Sequence, residues 1–458
     1  MKLVFVNIMQ ELHKFDSTAN ITQPPVPLAI LNAATPKTIK TALIDEQTDR
    51  IRFEGDAFAF SVSTQNAKAV YDYADALRAT KKKVILGGIH ITVCPDEAMR
   101  HADAIVTGEA ETVWPEVCAD LLEGELKERY TGSPTPPSQM SPVDYRFFGN
   151  RHYLTPASLF ATRGCNHRCS FCVSSRYMGP YRTKPLDVLE QEIDQLAELY
   201  PGAYLQFTDD NLLASRSYRA ELLSLLRRKK RRFVTMVTVD QFCDNALMEE
   251  MASSGCLGVA VGVESVDDDN CASVGKYQNL QQPFSDSVHH ANKYGIQVVA
   301  LLMIGLPHDT QERLTRTLQY LKQIPCSIYD IRILKIFPST SLYTQMLSSG
   351  NVTKDWWLKK ESVSTCNHLL PSCLGMHFKH KNFNSMQLQH LAMQFTSELN
   401  RMKHRSVSHI LRVGYRGRGL KLAGTLLYAR ERYVRQARML FKQVEQAMSA
   451  PKPDNTLE

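Results

Sequence analysis

From Leu3 to Phe337 the chain alternates short apolar runs with segments of helical periodicity, and that alternation leaves few folds open. Runs of strand length separated by helices imply parallel strands joined by helical crossovers. The first series places strands at Leu3–Ile8, Thr41–Asp45, Ala57–Ser63, Val84–Gly88 and Ala104–Thr107. Helices fall at Pro27–Ala34, Ala67–Thr80, Asp96–His101 and Glu111–Leu122; in the second of these Val70, Tyr73, Ala74 and Leu77 recur at helical spacing. A doubly wound parallel sheet follows, and such sheets bind ligands at the carboxyl ends of their strands. The run Thr131–Ser138, TGSPTPPS, is a linker by composition. A second series begins beyond it, with strands at Ser158–Arg163, Ala203–Thr208, Phe233–Val239, Gly258–Val263, Gln297–Ile304 and Ile331–Phe337. The helices between them, Pro185–Tyr200, Ser217–Arg228, Asn245–Ser254, Gln281–Tyr294 and Gln311–Gln323, complete a (β/α)6 partial barrel. The α/β chain thus divides into a Rossmann-like domain (1–130), a linker (131–150), a barrel (151–350) and a helical region with a basic tail (351–458).

At 458 residues and 43% hydrophobic content, two or three buried cores are expected. The longest apolar run, Ile296–Leu306, falls short of the roughly 18–20 residues a membrane span needs, and reads as a buried strand. No secretory signal pattern opens the chain. Eleven cysteines, an odd number, suggest no disulfide framework, so a cytoplasmic location is expected. The net charge of +7 is uneven: residues 401–458 hold thirteen Lys/Arg against four Asp/Glu, a local +9. A solvated helix face is as good a reading of that tail as an anionic partner, and no nucleic-acid partner is expected. The run Arg227–Arg232 lies at a helix C-terminus, where cations complement the dipole.

Cys165, Cys169 and Cys172 follow the first barrel strand at spacing C-x3-C-x2-C. Thiolates in one tight loop can hold three corners of an iron–sulfur cube, leaving the fourth iron open. A zinc site would call for a fourth ligand and wider spacing. Active sites of β/α barrels gather at the carboxyl ends of strands, where this loop lies.

With Phe171 in the aromatic place, the loop resembles the signature C-x3-C-x-aromatic-C of the radical S-adenosylmethionine (SAM) superfamily. The resemblance implies a [4Fe–4S] cluster on the three cysteines and SAM chelating the open iron. It also implies cleavage of SAM to a 5′-deoxyadenosyl radical that abstracts a substrate hydrogen. Asp209 and Asp210, at the second strand end, stand where the family receives SAM's amino group. Glu264 and Ser265, at the fourth, stand near its ribose and methionine part. Arg182 matches a family arginine that helps order the cluster loop.

Two glycine-bearing strand ends, Gly87-Gly88-Ile89-His90-Ile91-Thr92 and Gly108-Glu109-Ala110-Glu111, resemble the cobalamin-binding domain found ahead of many radical SAM barrels. The resemblance makes Gly87, Gly88, His90, Thr92, Gly108 and Glu109 candidate cobalamin contacts. The Asp-x-His-x-x-Gly motif that ligates cobalt from below is absent, and His13 in the first loop lacks that setting. Cobalamin is therefore expected without a protein imidazole on the metal. Methylthiotransferases, which share this layout, carry three further cysteines where this region has only Cys94 and Cys118. Cys366 and Cys373 read as core or surface thiols. In relatives a helical C-terminal region closes over the substrate side. The expectation is a cobalamin-type radical SAM enzyme methylating an unactivated carbon of a small molecule, with flavodoxin or ferredoxin as electron donor. The alternatives are a radical SAM cyclase or rearrangement enzyme, and an iron–sulfur redox sensor that grips nucleic acid.

Overall fold

The computed structural model describes residues 1–9, 22–359, 377–401 and 404–449. His13, Cys366 and Cys373 lie outside them. The N-terminal domain is one sheet of six parallel strands in the order β2-β1-β3-β4-β5-β6. They are β1 (Lys2–Asn7), β2 (Lys40–Asp45), β3 (Ala57–Ser61), β4 (Lys83–Gly87), β5 (Ala104–Thr107) and β6 (Arg129–Thr131). Helices α1 (Val26–Ala34) and α3 (Trp114–Glu123) cover one face, and α2 (Ala67–Ala79) the other. Leu3 and Phe5 pack with Trp114, whereas Val4 and Val6 pack with Val70 and Ala74. Coverage on both faces explains why β1 reads as an unbroken apolar run. The edge strand β6 was not anticipated: it is three residues long and buries only Tyr130, so its sequence has the character of a linker.

The second sheet, also wholly parallel, runs β7-β10-β11-β12-β13-β14. Its strands are β7 (Ser158–Leu159), β10 (Leu205–Phe207), β11 (Phe233–Val237), β12 (Cys256–Glu264), β13 (Gln297–Ile304) and β14 (Ile328–Ile333). Helices α4 (Leu186–Leu199), α5 (Arg216–Arg228), α6 (Asn245–Ser253), α7 (Phe284–Lys293) and α8 (Gln311–Leu321) pack outside it. The six-stranded partial barrel is as expected, except that its first strand breaks after Leu159. Thr162–Arg163 (β8) leaves the sheet and pairs antiparallel with Arg182–Thr183 (β9).

Helix α9 (Ser385–Leu399) covers the free edge of β14. There Asn400 accepts the Tyr329 N–H at 2.8 Å and donates to the Tyr329 carbonyl at 2.7 Å, replacing a neighbouring strand. Helices α10 (His404–Arg416) and α11 (Leu420–Ser449) correct the placement expected of the C-terminal region. They lie under the amino ends of the barrel strands, opposite the cysteine loop. Leu422 and Leu426 of α11 pack on Leu257, Val234, Val299 and Ile328. The Gln297 amide donates to the Ile410 carbonyl at 2.8 Å, and buried Arg430 donates to the carbonyls of Ser327, Leu399 and Asn400. These helices close the floor of the barrel and not its substrate side. Among the described residues no helix is long and apolar enough to cross a membrane.

The doubly wound domain forms the roof. Its α2-side core is continuous with Val274, Leu306, Leu334 and Ile336 from the carboxyl ends of the barrel strands, and with Trp356, Trp357 and Phe378.

Candidate active site

The cysteine loop is gathered at its neck by the β8–β9 pairing, in which Arg163 stands opposite Arg182. Gly164 sits at φ +81°, and a Cβ there would lie 2.9 Å from the Gly179 carbonyl oxygen. Only glycine allows the two sides of the loop to approach so closely. Arg182 donates to the Met178 and Pro180 carbonyls at 2.7 and 3.0 Å, tying down the returning strand. The segment after β12 supports the loop from beneath: Ser170 N–H donates to the Val274 carbonyl at 2.9 Å, and Gly275 packs against Arg168 and Cys169.

Cys165, Cys169 and Cys172 are half-buried and in no disulfide, and the charge of Cys172 disfavours ionisation of both Cys165 and Cys169. Burial is the larger influence and pushes the Cys165 and Cys169 thiols up. Among the described residues no three Cys, His, Asp or Glu side chains converge tightly enough for one metal ion. The three thiols come from one loop and are all half-buried, a donor set that suits an iron–sulfur cube. Phe171 is half-buried and packs on the apolar cluster that joins roof and barrel, so its ring anchors the loop there.

The two aspartates after β10 part company. Asp209 is 2% exposed, and its Oδ1 accepts the Ala161 and Thr162 N–H groups at 2.9 and 2.5 Å and the Thr162 hydroxyl at 2.7 Å. It is a clamp on the strand that delivers the cysteines, and the expectation that it meets SAM is corrected. Burial pushes its carboxyl up to about 6 despite those hydrogen bonds. Asp210 is exposed and accepts from the Gly164 N–H and the Ser174 hydroxyl, so it stays beside the loop.

Glu264 adopts φ +56° at a bulge in the pairing of β12 with β13, and its Oε1 lies 2.6 Å from Lys276 Nζ. That buried lysine escaped the sequence reading. No motif marks it, and a helix, Asp268–Ser273, separates it from the end of β12. Ser265 shapes the turn: its hydroxyl accepts the Asp267 N–H at 3.1 Å. Asp267 and Asp269 both pair with Arg313.

At the roof, most of the expected cobalamin contacts serve the domain's own backbone. Gly88 has φ +105°, with a Cβ position 2.7 Å from the Val62 carbonyl oxygen; at Gly108 the corresponding clash is with Gly132. Thr92 spans the two glycine turns, donating to the Gly88 carbonyl and accepting the Gly108 N–H. Of the three candidate glycines only Gly87 would accept a Cβ without a clash, in ordinary contact with Val106. His90 is fully buried, with Nδ1 3.1 Å from the Thr64 hydroxyl and Nε2 3.0 Å from Glu97 Oε1. Glu109 faces the barrel, accepting from Arg163 Nη1 at 2.7 Å, Arg182 Nη2 at 2.5 Å and the Thr135 N–H at 2.7 Å. Burial opposes its ionisation, but Arg182 and Arg163 prevail and hold its carboxyl down at about 2. A direct ligand role for His90 and Glu109 is therefore corrected, since one is a buried histidine and the other belongs to an interdomain ion cluster, while half-buried Thr92 holds the two glycine turns. The strand order 2-1-3-4-5 puts the switch point between β1 and β3, so the ligand crevice of this sheet lies beside Ile8–Met9 and Val62–Thr64.

An open barrel offering three thiols on one loop beneath a doubly wound sheet is the frame of an iron–sulfur enzyme with a second cofactor domain. Comparison with known proteins gives the family. Residues 159–321 match the radical SAM superfamily, and residues 30–118 match the B12 binding domain. The chain belongs to the radical SAM superfamily, in the branch that carries a cobalamin-binding domain, and its cofactors are a [4Fe–4S] cluster, SAM and cobalamin. The bacteriochlorophyllide d C-8(2)-methyltransferase of Chlorobaculum tepidum is 28% identical over 73% of this chain and 79% of that protein. The C-12(1)-methyltransferase of the same organism is 28% identical over 70% and 74%. The structure of the radical SAM methyltransferase TsrM from Kitasatospora setae, with cobalamin and a [4Fe–4S] cluster bound, superposes with a TM-score of 0.68 at 17% identity. It covers 96% of this chain and 99% of that one, a likeness of fold.

Proposed function

We propose that this enzyme methylates an unactivated carbon of a small-molecule substrate. The observation that carries the reading is the direct seating of the cobalamin-type sheet on the cysteine loop through Glu109, Arg163 and Arg182. Relatives that match both halves of the chain are named as methyltransferases. When bound, the cluster supplies the electron that cleaves SAM, and cobalamin supplies the methyl group. The chain's part is to hold, orient and exclude water. Cys165, Cys169 and Cys172 are the cluster ligands. Asp210 and Glu264, at adjacent openings around the loop, accept hydrogen bonds from SAM's ammonium and hydroxyl groups. Ser265 holds the turn behind Glu264. Cobalamin would sit at the crevice beside Ile8–Met9 and Val62–Thr64, and His90, committed to Thr64 and Glu97, would not be a ligand to it. A reductant must deliver the electron, and a flavodoxin or ferredoxin suits that role.

The test is anaerobic reconstitution with iron, sulfide and hydroxocobalamin, followed by incubation with SAM and dithionite. Wild-type protein should form 5′-deoxyadenosine and S-adenosylhomocysteine. Cys165→Ala should lose most bound iron and all 5′-deoxyadenosine. Deoxyadenosine without cobalamin retention would instead favour a radical reaction lacking methyl transfer. A full cluster with no SAM cleavage would sink the proposal.

A further inference from the structure

A chain of hydrogen bonds runs from the backbone just past β11 to a cysteine sulfur. Thr238 caps the short helix Val239–Phe242, and its N–H donates to Gln241 Oε1 at 3.3 Å. Gln241 Nε2 donates to Asn211 Oδ1 at 2.9 Å, and Asn211 Nδ2 approaches Cys165 Sγ at 3.7 Å. The oxygen and nitrogen of a side-chain amide are ordinarily interchangeable on geometry alone. Here they are not, because a backbone N–H can only donate. It obliges Gln241 to present oxygen to Thr238 and nitrogen to Asn211. Asn211 must then accept with its oxygen and offer its own N–H to the sulfur. A second amide, Gln278 Nε2, lies 3.9 Å from Cys169 Sγ and comes from the segment that supports the loop from the other side.

We propose that Asn211 and Gln278 donate hydrogen bonds to the thiolates of Cys165 and Cys169 in the loaded cluster, and that Gln241 is a positioning residue that locks the Asn211 amide in its donating orientation. This rests on the cluster assignment above. Donation to a ligand sulfur stabilises the more negative, reduced cluster, and such bonds are among the protein's means of setting a cluster's potential. The relay therefore raises the midpoint potential and makes the cluster easier to reduce.

The test uses full-length protein, anaerobically reconstituted without SAM, and a redox titration followed by the electron paramagnetic resonance of the reduced cluster. Wild-type, Asn211→Leu, Gln241→Leu, Gln278→Leu and the double variants are compared at equal iron content. All three single variants should shift the midpoint to more negative values. Asn211→Leu/Gln241→Leu should match Asn211→Leu alone, because both act through one bond. Asn211→Leu/Gln278→Leu should show the sum of two independent shifts. Unchanged midpoints would overturn the proposal, as would failure of both Asn211→Leu and Gln241→Leu to take up iron, which would make the relay a scaffold of the loop. Absence of a cluster in the wild type would instead overturn the cluster assignment.

Discussion

Asp209 and Glu264 show how one carboxylate can serve the scaffold while its neighbour in sequence or space faces the open site. The carboxyl of Asp209 is raised to about 6 by burial. A carboxyl raised in the folded state contributes stability that is fully present below its unfolded value near 3.8 and is lost as pH rises through about 6. Asp209→Asn keeps an oxygen for the Ala161 and Thr162 donors but carries no charge. The variant should gain about 2–3 kcal/mol relative to wild type between pH 4 and pH 7, measured by urea unfolding at each pH. A constant difference across that range would show that Asp209 is not held in its neutral form. Glu264 presents the opposite case, a buried charge with a partner. Glu264→Gln leaves the Lys276 ammonium buried without a counter-charge and should cost about 3 kcal/mol. Adding Lys276→Met should recover most of that loss in the same assay. No recovery would mean that the pair is more open to water than its burial of 8% and 13% exposed implies.

At the scale of elements, the cysteine loop depends on a backbone conformation as much as on its thiols. Gly164→Ala places a Cβ against the Gly179 and Pro180 carbonyls at a left-handed residue, so the neck of the loop must open. The variant should fold, by circular dichroism, yet bind less than half the iron of wild type after reconstitution. Full iron loading would show that the neck tolerates opening. The sequence made the loop legible because cysteine spacing and glycine position are local. It also made most strands legible, since burial on both faces writes itself as a continuous apolar run. It failed where an element owes its form to a distant partner. The β8 segment leaves the barrel where Asp209, 47 residues away, captures the N–H and hydroxyl of Thr162. The edge strand β6 has one buried residue, and α10 follows α9 too closely for periodicity to separate them. The glycines at 88 and 108 were visible, but their cause was not: each is required by the carbonyl of another strand or loop, a constraint no local pattern records.

At the scale of the whole molecule, the roof and the barrel meet through a compact ion cluster in which Glu109 and Glu111 from the sheet face Arg163 and Arg182 from the two sides of the cysteine loop. Arg163 is two residues before Cys165, so seating the roof also fixes the loop's neck. Exposed ion pairs contribute little and are screened by salt, but this one is nearly enclosed, with side-chain exposures of 9–12% for Glu109 and both arginines. The carboxyl of Glu109, held at about 2, gives the sign of the pH dependence. A depressed carboxyl contributes stability that is present above its unfolded value near 4.5 and is lost as pH falls through about 2. The full difference is worth about 3 kcal/mol. Glu109→Gln should lower stability at pH 7 by that order, since Arg163 then keeps Glu111 alone and Arg182 keeps only the carbonyls of Thr135, Met178 and Pro180. It should also flatten the acid-unfolding curve between pH 4.5 and pH 2, where wild type loses this contribution and the variant has none to lose. Raising the salt concentration should leave the difference between the two proteins nearly unchanged. If the Glu109→Gln deficit instead disappears in high salt, the roof is held by its apolar contacts with Val274, Leu306 and Ile336, and the ion cluster is a surface feature of the joint.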